Sequence, residues 1–79
     1  TGVEYVSPRN VTEEKLVAIW QEILGRELVG IKDNFFEVGG HSLKATRLAS
    51  QVYKTFEVKL ALKELFSHAV LEEQARLIE

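Results

Sequence analysis

The chain of 79 residues contains no cysteine, which excludes a disulfide framework and any thiolate metal site. Its only proline, Pro8, lies in the first ten residues, where it and the residue before it resist helix. Basic charge is not in surplus: ten Lys and Arg stand against twelve Asp and Glu, for a formal net charge of −2. A nucleic-acid binder with a basic face is therefore disfavoured. Only two histidines occur, His41 and His68, with no cluster of ligand residues around either, so no metal site is expected. No apolar run approaches the roughly 20 residues that span a bilayer, and no signal-peptide pattern is present. These absences predict a soluble chain without membrane contact, and the lack of cysteine fits a reducing cytoplasm.

What is present suits one small domain. An apolar fraction of 46% is ordinary for a folded chain and too high for a disordered tail. At this length only about 60% of the unfolded surface is buried, so stability should be modest. Residues 1–10 carry no helical period and read as a linker or extended arm, with the folded domain over 11–79. The spacing predicts a first helix over Thr12–Leu24, capped by Asn10 or Thr12, with Glu13 and Glu14 favourably placed on its macrodipole. Leu16, Ile19, Trp20, Ile23 and Leu24 form its apolar stripe, and Gly25 suits its end.

A long connection follows, residues 26–41, with apolar positions that should pin it to the core; connections of this length are often functional. Within it Asp33 is expected to cap a single turn through Phe35 and Phe36. A second helix is predicted over Ser42–Thr55, burying Ala45, Leu48, Ala49, Val52 and Phe56. A short third helix is predicted over Ala61–Phe66 and a fourth over Val70–Ile78, the last burying Leu71, Ala75 and Ile78. The fold class is therefore all-α: a small four-helix bundle with three longer helices, a short third, and a long loop between the first two.

The chemistry-bearing stretch is Asp33-Asn34-Phe35-Phe36-Glu37-Val38-Gly39-Gly40-His41-Ser42-Leu43. Adjacent glycines allow a sharp turn and a close approach to the backbone. Ser42 follows them at a predicted helix start, where unpaired N–H groups suit a phosphate. A serine there is ordinarily an N-cap, a role compatible with modification. His41 as a base for Ser42 would need hydrogen-bond geometry and an orienting third group, which neighbours in sequence seldom supply. Trp20 reads as core, and His68 as a solvated or capping residue.

The pattern D-x-F-F-x-x-G-G-H-S-L resembles the core motif of the peptidyl carrier (thiolation) domains of non-ribosomal peptide synthetases, in which Val38 stands for the usual leucine. The likeness extends to Tyr5–Arg9, which resembles the linker after an adenylation domain, to the first helix, and to Leu60–Phe66. Ala69-Val70 replaces the usual Pro followed by Thr or Ser, which predicts a looser start to the last helix. The resemblance implies that a phosphopantetheinyl transferase moves 4′-phosphopantetheine from coenzyme A to Ser42, using magnesium. The arm's thiol then takes an aminoacyl group as a thioester, in a chain that has no thiol of its own. It implies adenylation, condensation and thioesterase-type domains as partners, a monomeric isolated domain, and no catalytic residue. The motif around the site is Asp33, Phe35, Phe36, Gly39, Gly40, His41 and Leu43. His41 resembles carriers serving ordinary condensation steps.

Three other classes fit less well. Acyl carriers of fatty-acid or polyketide synthesis tend to be more acidic and to show Asp-Ser-Leu, where this chain has His41-Ser42-Leu43. A serine hydrolase elbow needs G-x-S-x-G, and here Lys44 takes the last place. A helical nucleic-acid module is disfavoured by the charge. On helical geometry Leu43 falls opposite the buried stripe, near Thr46 and Arg47, which makes these three the candidate docking residues.

Overall fold

The computed structural model describes residues 5–79; the first four residues of the proposed linker lie outside it. Four helices follow in order: α1 (Val11–Leu24), α2 (Ser42–Phe56), α3 (Leu62–Ser67) and α4 (Leu71–Ile78). Among the described residues there is no strand, only an isolated antiparallel bridge between Asn34 and Val70. The all-α bundle is the one the periodicity predicts. α1 packs against α2 and α4, and α3 packs against α2.

Each helix starts and stops for a local reason. The Asn10 side chain accepts the Glu13 N–H at 2.8 Å, capping α1, and Gly25 ends it in the left-handed region at φ 68°. The α1 stripe Leu16, Ile19, Trp20 and Ile23 is buried, with Leu24 partly covered. On α2 Ala45, Leu48 and Val52 are fully buried, while Ala49 and Phe56 pack only partly against the core. Trp20 is fully buried as expected, and its indole N–H donates to Gln74 Oε1 at 3.2 Å. A buried indole needs such a partner, and α4 thereby buries a glutamine that hydropathy places outside.

α4 is not loosely started. No side chain caps it, yet the Leu71 N–H donates to the Asp33 carbonyl at 3.2 Å and the Glu72 N–H to the Ile31 carbonyl at 3.0 Å. The Phe35 N–H returns a bond to the Ala69 carbonyl at 2.9 Å. Loop backbone thus satisfies the orphan donors that a threonine or serine cap would otherwise serve.

Residues 5–10 lie on the body. Val6 packs against the core, and its carbonyl accepts the Ile31 N–H at 3.0 Å. Arg9 clasps Glu13, a carboxylate only 2% exposed, through its backbone N–H at 2.8 Å, its Nε at 3.1 Å and its Nη2 at 2.6 Å. Nη2 also reaches Glu72 Oε2 at 3.3 Å, and Lys32 bonds Glu72 Oε1 at 2.7 Å. Hydrogen bonding from Arg9 holds the Glu13 carboxyl below its ordinary value, and Lys32 does the same for Glu72. Arg9 is half exposed, so solvent and salt screen its part.

Acids held below their ordinary value stay ionised in the fold after the unfolded chain has begun to bind protons. Their contribution is whole above about pH 4.5, the ordinary value, and fades as pH falls through the lowered folded value. Denaturant midpoints should therefore drop on acidification below pH 4.5, and Glu13→Gln should flatten that drop while lowering the midpoint at pH 7. Identical pH profiles for the two proteins would show that the clasp does not stabilise the fold.

Candidate functional site

The connection between α1 and α2 is built around one ring. Phe35 is 1% exposed and meets Trp20 edge-on, with ring centroids 5.1 Å apart. Phe36 crosses Phe35 at 5.5 Å and stacks on Phe66 of α3 at 5.0 Å, with the planes 9° apart. Two acceptors shape the backbone around these rings. Asp33 Oδ2 reaches back to the Gly30 N–H at 2.9 Å rather than forward as the sequence suggests. The turn through Phe35 and Phe36 is capped by Asn34, whose Oδ1 accepts the Phe36 and Glu37 N–H groups at 2.9 and 3.3 Å.

The glycine pair then has two separate jobs. Gly39 sits at φ 114°, a conformation that strains any residue with a Cβ. Gly40 lies against Phe35: its N–H donates to the Phe35 carbonyl at 2.8 Å, and a Cβ there would drive into the ring and come within 2.6 Å of that carbonyl oxygen. The turn delivers His41 in extended backbone, φ −149°, as the residue that caps α2.

Ser42 is therefore the first residue inside α2, not its cap. His41 offers no side-chain cap, and the Ala45 N–H is the first to close on the His41 carbonyl, at 2.8 Å. The Ser42 hydroxyl is exposed, and the residue's carbonyl accepts the Thr46 hydroxyl at 3.1 Å. The leading N–H groups of a helix have no intrahelical partner. The first turns of α1, α3 and α4 all carry glutamate, whereas α2 has no acid in its first turn. Ser42 thus sits at a positive helix end with no acid in its first turn, which fits a phosphodiester.

Leu43 is 75% exposed, and Thr46 and Arg47 are exposed beside it on α2. The structure adds two apolar residues that the sequence reading passes over, Leu62 and Phe66 of α3, 41% and 52% exposed. His68 ends α3 and approaches Glu73, Nδ1 to Oε1 at 3.3 Å, away from Ser42 in the chain.

Because Phe35 and Gly40 share one space, Gly40→Ala should cost about 1–3 kcal/mol as an overpacking change. For a domain of this size that lowers the thermal midpoint by about 4–8 °C for each kcal/mol. An unchanged midpoint in a calorimetric scan would mean that Phe35 does not fix the turn.

Known proteins share the fold. Residues 14–78 match the family model described as "Phosphopantetheine attachment site". Tyrocidine synthase 3 of Brevibacillus parabrevis is 53% identical over 78 residues, which is 99% of this chain and 1% of that protein. Gramicidin S synthase 2 of Brevibacillus brevis is 52% identical over 75 residues, 95% of this chain and 2% of that one. The chain thus spans a small fraction of these relatives. A chain from the structure of the phosphopantetheine transferase Sfp with coenzyme A and a peptidyl carrier protein superposes with a TM-score of 0.92 at 44% identity, covering 94% of this chain and 96% of that one. The solution structure described as a prototype for the peptidyl carrier domains of modular peptide synthetases gives 0.84 at 46% identity, covering 94% and 97%. With that motif, that turn and that bundle, the chain belongs to the phosphopantetheine attachment site family and is a peptidyl carrier domain.

Proposed function

We propose that Ser42 is the residue that carries 4′-phosphopantetheine, and that the domain presents aminoacyl and peptidyl groups to the enzymes of non-ribosomal peptide synthesis. The observation that carries the assignment is the exposed Ser42 hydroxyl at the acid-free start of α2, set there by the Gly39-Gly40 turn. When attached, the arm supplies the thiol that this cysteine-free chain lacks and holds the acyl group as a thioester. The chain's own residues anchor, orient and expose the attachment point; they do no chemistry on the acyl group. His41 makes no side-chain bond that would activate Ser42. The likeness to a chain from the structure of a transferase in complex with coenzyme A and a peptidyl carrier protein supports loading by such an enzyme. The likeness to synthetases supports adenylation, condensation and thioesterase-type domains as partners, with residues 1–10 as the linker from an upstream adenylation domain. Within this reading the isolated domain is a monomer and works in the cytoplasm. Among the described residues no helix is long and apolar enough to cross a membrane.

Incubated with coenzyme A and a broad-specificity phosphopantetheinyl transferase, the wild-type chain should gain the mass of one phosphopantetheine and Ser42→Ala should gain none. Since Ser42 caps nothing, Ser42→Ala should stay within about 0.5 kcal/mol of wild type, as surface changes do. Full loading of Ser42→Ala would overturn the assignment.

Leu43, Thr46 and Arg47 form the proposed contact for partner enzymes, an exposed leucine beside a cation next to the attachment point. Leu48→Ala, in the core, should cost about 2–5 kcal/mol. Leu43→Ala should change stability by less than about 0.5 kcal/mol yet slow loading or acyl transfer. Equal destabilisation by the two would make Leu43 a packing residue and remove it from the contact.

A further inference from the structure

The segment before α1 lies on the surface of the domain, and none of residues 5–10 is buried: Tyr5, Ser7, Arg9 and Asn10 are exposed, and Val6 and Pro8 are half-buried. The groups it touches are the reverse, since Gly30, Ile31 and Glu13 are all buried. Gly30 is the shelf on which the segment rests. A Cβ there would stand 3.1 Å from Tyr5 Cδ1 and 3.2 Å from the main-chain N and O of Val6, closer than ordinary carbon contacts. The absence of a side chain at residue 30 is therefore what lets the segment lie flat.

Two attachments bracket it. The Val6 carbonyl accepts the Ile31 N–H at 3.0 Å, and Arg9 clasps Glu13 and reaches Glu72. Pro8, between them, has no N–H to give. The Arg9 side chain is 52% exposed, and an ion pair in contact with water is weak and screened by salt. A segment with few buried apolar contacts, held by bonds at the surface, opens at lower free energy than the core. Asn10 does not leave with it, because its side chain caps α1. The hinge thus falls between Arg9 and Asn10.

Tyr5 shares the lining of a cavity of about 170 Å³ with Asn34, Glu37 and Val38, residues of the turn that leads to Ser42. The closed segment therefore lies against the loop that aims the site. We propose that residues 5–9 are a releasable strap, a proposal that rests on reading residues 1–10 as a linker. Closed, the strap holds the entering chain against the body. Open, it adds five residues to the tether between the body and the domain before it, a gain in reach of up to about 17 Å. Effective concentration falls as a flexible tether lengthens, so opening exchanges proximity to the upstream domain for access to more distant ones.

Amide hydrogen exchange on the 79-residue chain tests the strap. The Ile31 N–H is covered by the Val6 carbonyl, whereas Val52 lies inside α2 and reports the core. In wild type the Ile31 amide should be at least about tenfold less protected than that of Val52, as local opening requires. Arg9→Gln and Gly30→Ala should each remove at least about tenfold more of the Ile31 protection, with Val52 still the better protected by at least about tenfold. Because the chain has no cysteine, nitroxides placed at Ser7→Cys and Ala18→Cys, both exposed positions, give a second reading. Their separation should gain a population displaced by up to about 10 Å in the two variants, the span of the three residues from Ser7 to the hinge. Equal protection of Ile31 and Val52 in wild type, or distance distributions that neither variant moves, overturns the strap. Neither measurement needs an upstream domain. If the residues encoded before Thr1 form no adenylation domain, the linker reading falls by that fact alone, and the exchange and distance results still decide the strap.

Discussion

The contact between the Phe35 ring and the backbone of Gly40 is the constraint on which the site depends. Phe35 lies in a connection without regular secondary structure, yet it is almost as buried as the helix core and its ring sits edge-on to Trp20 at 5.1 Å. Burying an aromatic side chain of this size contributes a few kcal/mol, a large share for a domain whose total stability is modest. The Phe35 N–H bonds the segment before α4, and its carbonyl takes the Gly40 N–H. One residue therefore ties α1, α4 and the start of α2 to a common point. The direction in which α2 begins, and with it the position of Ser42, follows from that tie.

Electrostatics at the helix starts then separates structural ends from the functional one. α1, α3 and α4 place glutamates in their first turns, and several of these glutamates do more than complement the dipole. Glu13 anchors Arg9, and Glu64 accepts the Ala61 N–H at 3.0 Å. Such ends are satisfied internally and offer nothing to an anion. α2 keeps Lys44 and no acid in its first turn, and its preceding residue gives no side-chain cap. A phosphodiester is negative at every physiological pH, so this start stabilises a group that the other three would repel.

The helices and the glycine turn before Ser42 were legible in the sequence, but not the bonds that hold the loop. Apolar spacing was enough for α1 and α2 because each buries a continuous stripe, and Asn10 and Gly25 are strong end signals. α3 and α4 each begin one residue later than the pattern suggests, within the usual fraying of helix ends. Ser42 as a cap was a one-residue error of the same kind, since His41 occupies the extended position that defines the cap. The bridge between Asn34 and Val70 left no trace, because main-chain bonds between distant segments carry no side-chain signature. The same reason explains why Ala69-Val70 reads as a weakness and yet sits at a firmly held helix start. Glu13 and Gln74 are polar residues in the core, and only their partners, Arg9 and Trp20, account for their burial.

The geometry of α2 explains how one helix of 15 residues serves incompatible demands. Ala45, Leu48 and Val52 share a sector that is buried and fixes the helix as a rigid body. Leu43 and Arg47 point nearly opposite by helical phase, where an exposed leucine costs the fold nothing and remains free for a partner. Ser42, Thr46, Ala49 and Tyr53 occupy the border between the two. Residues in contact couple energetically while well-separated ones act almost independently. Docking and packing are thereby free to vary separately on one element. Under the proposed function the domain meets several different enzymes with a single core, and this division lets surface chemistry serve each of them without disturbing the packing that aims Ser42.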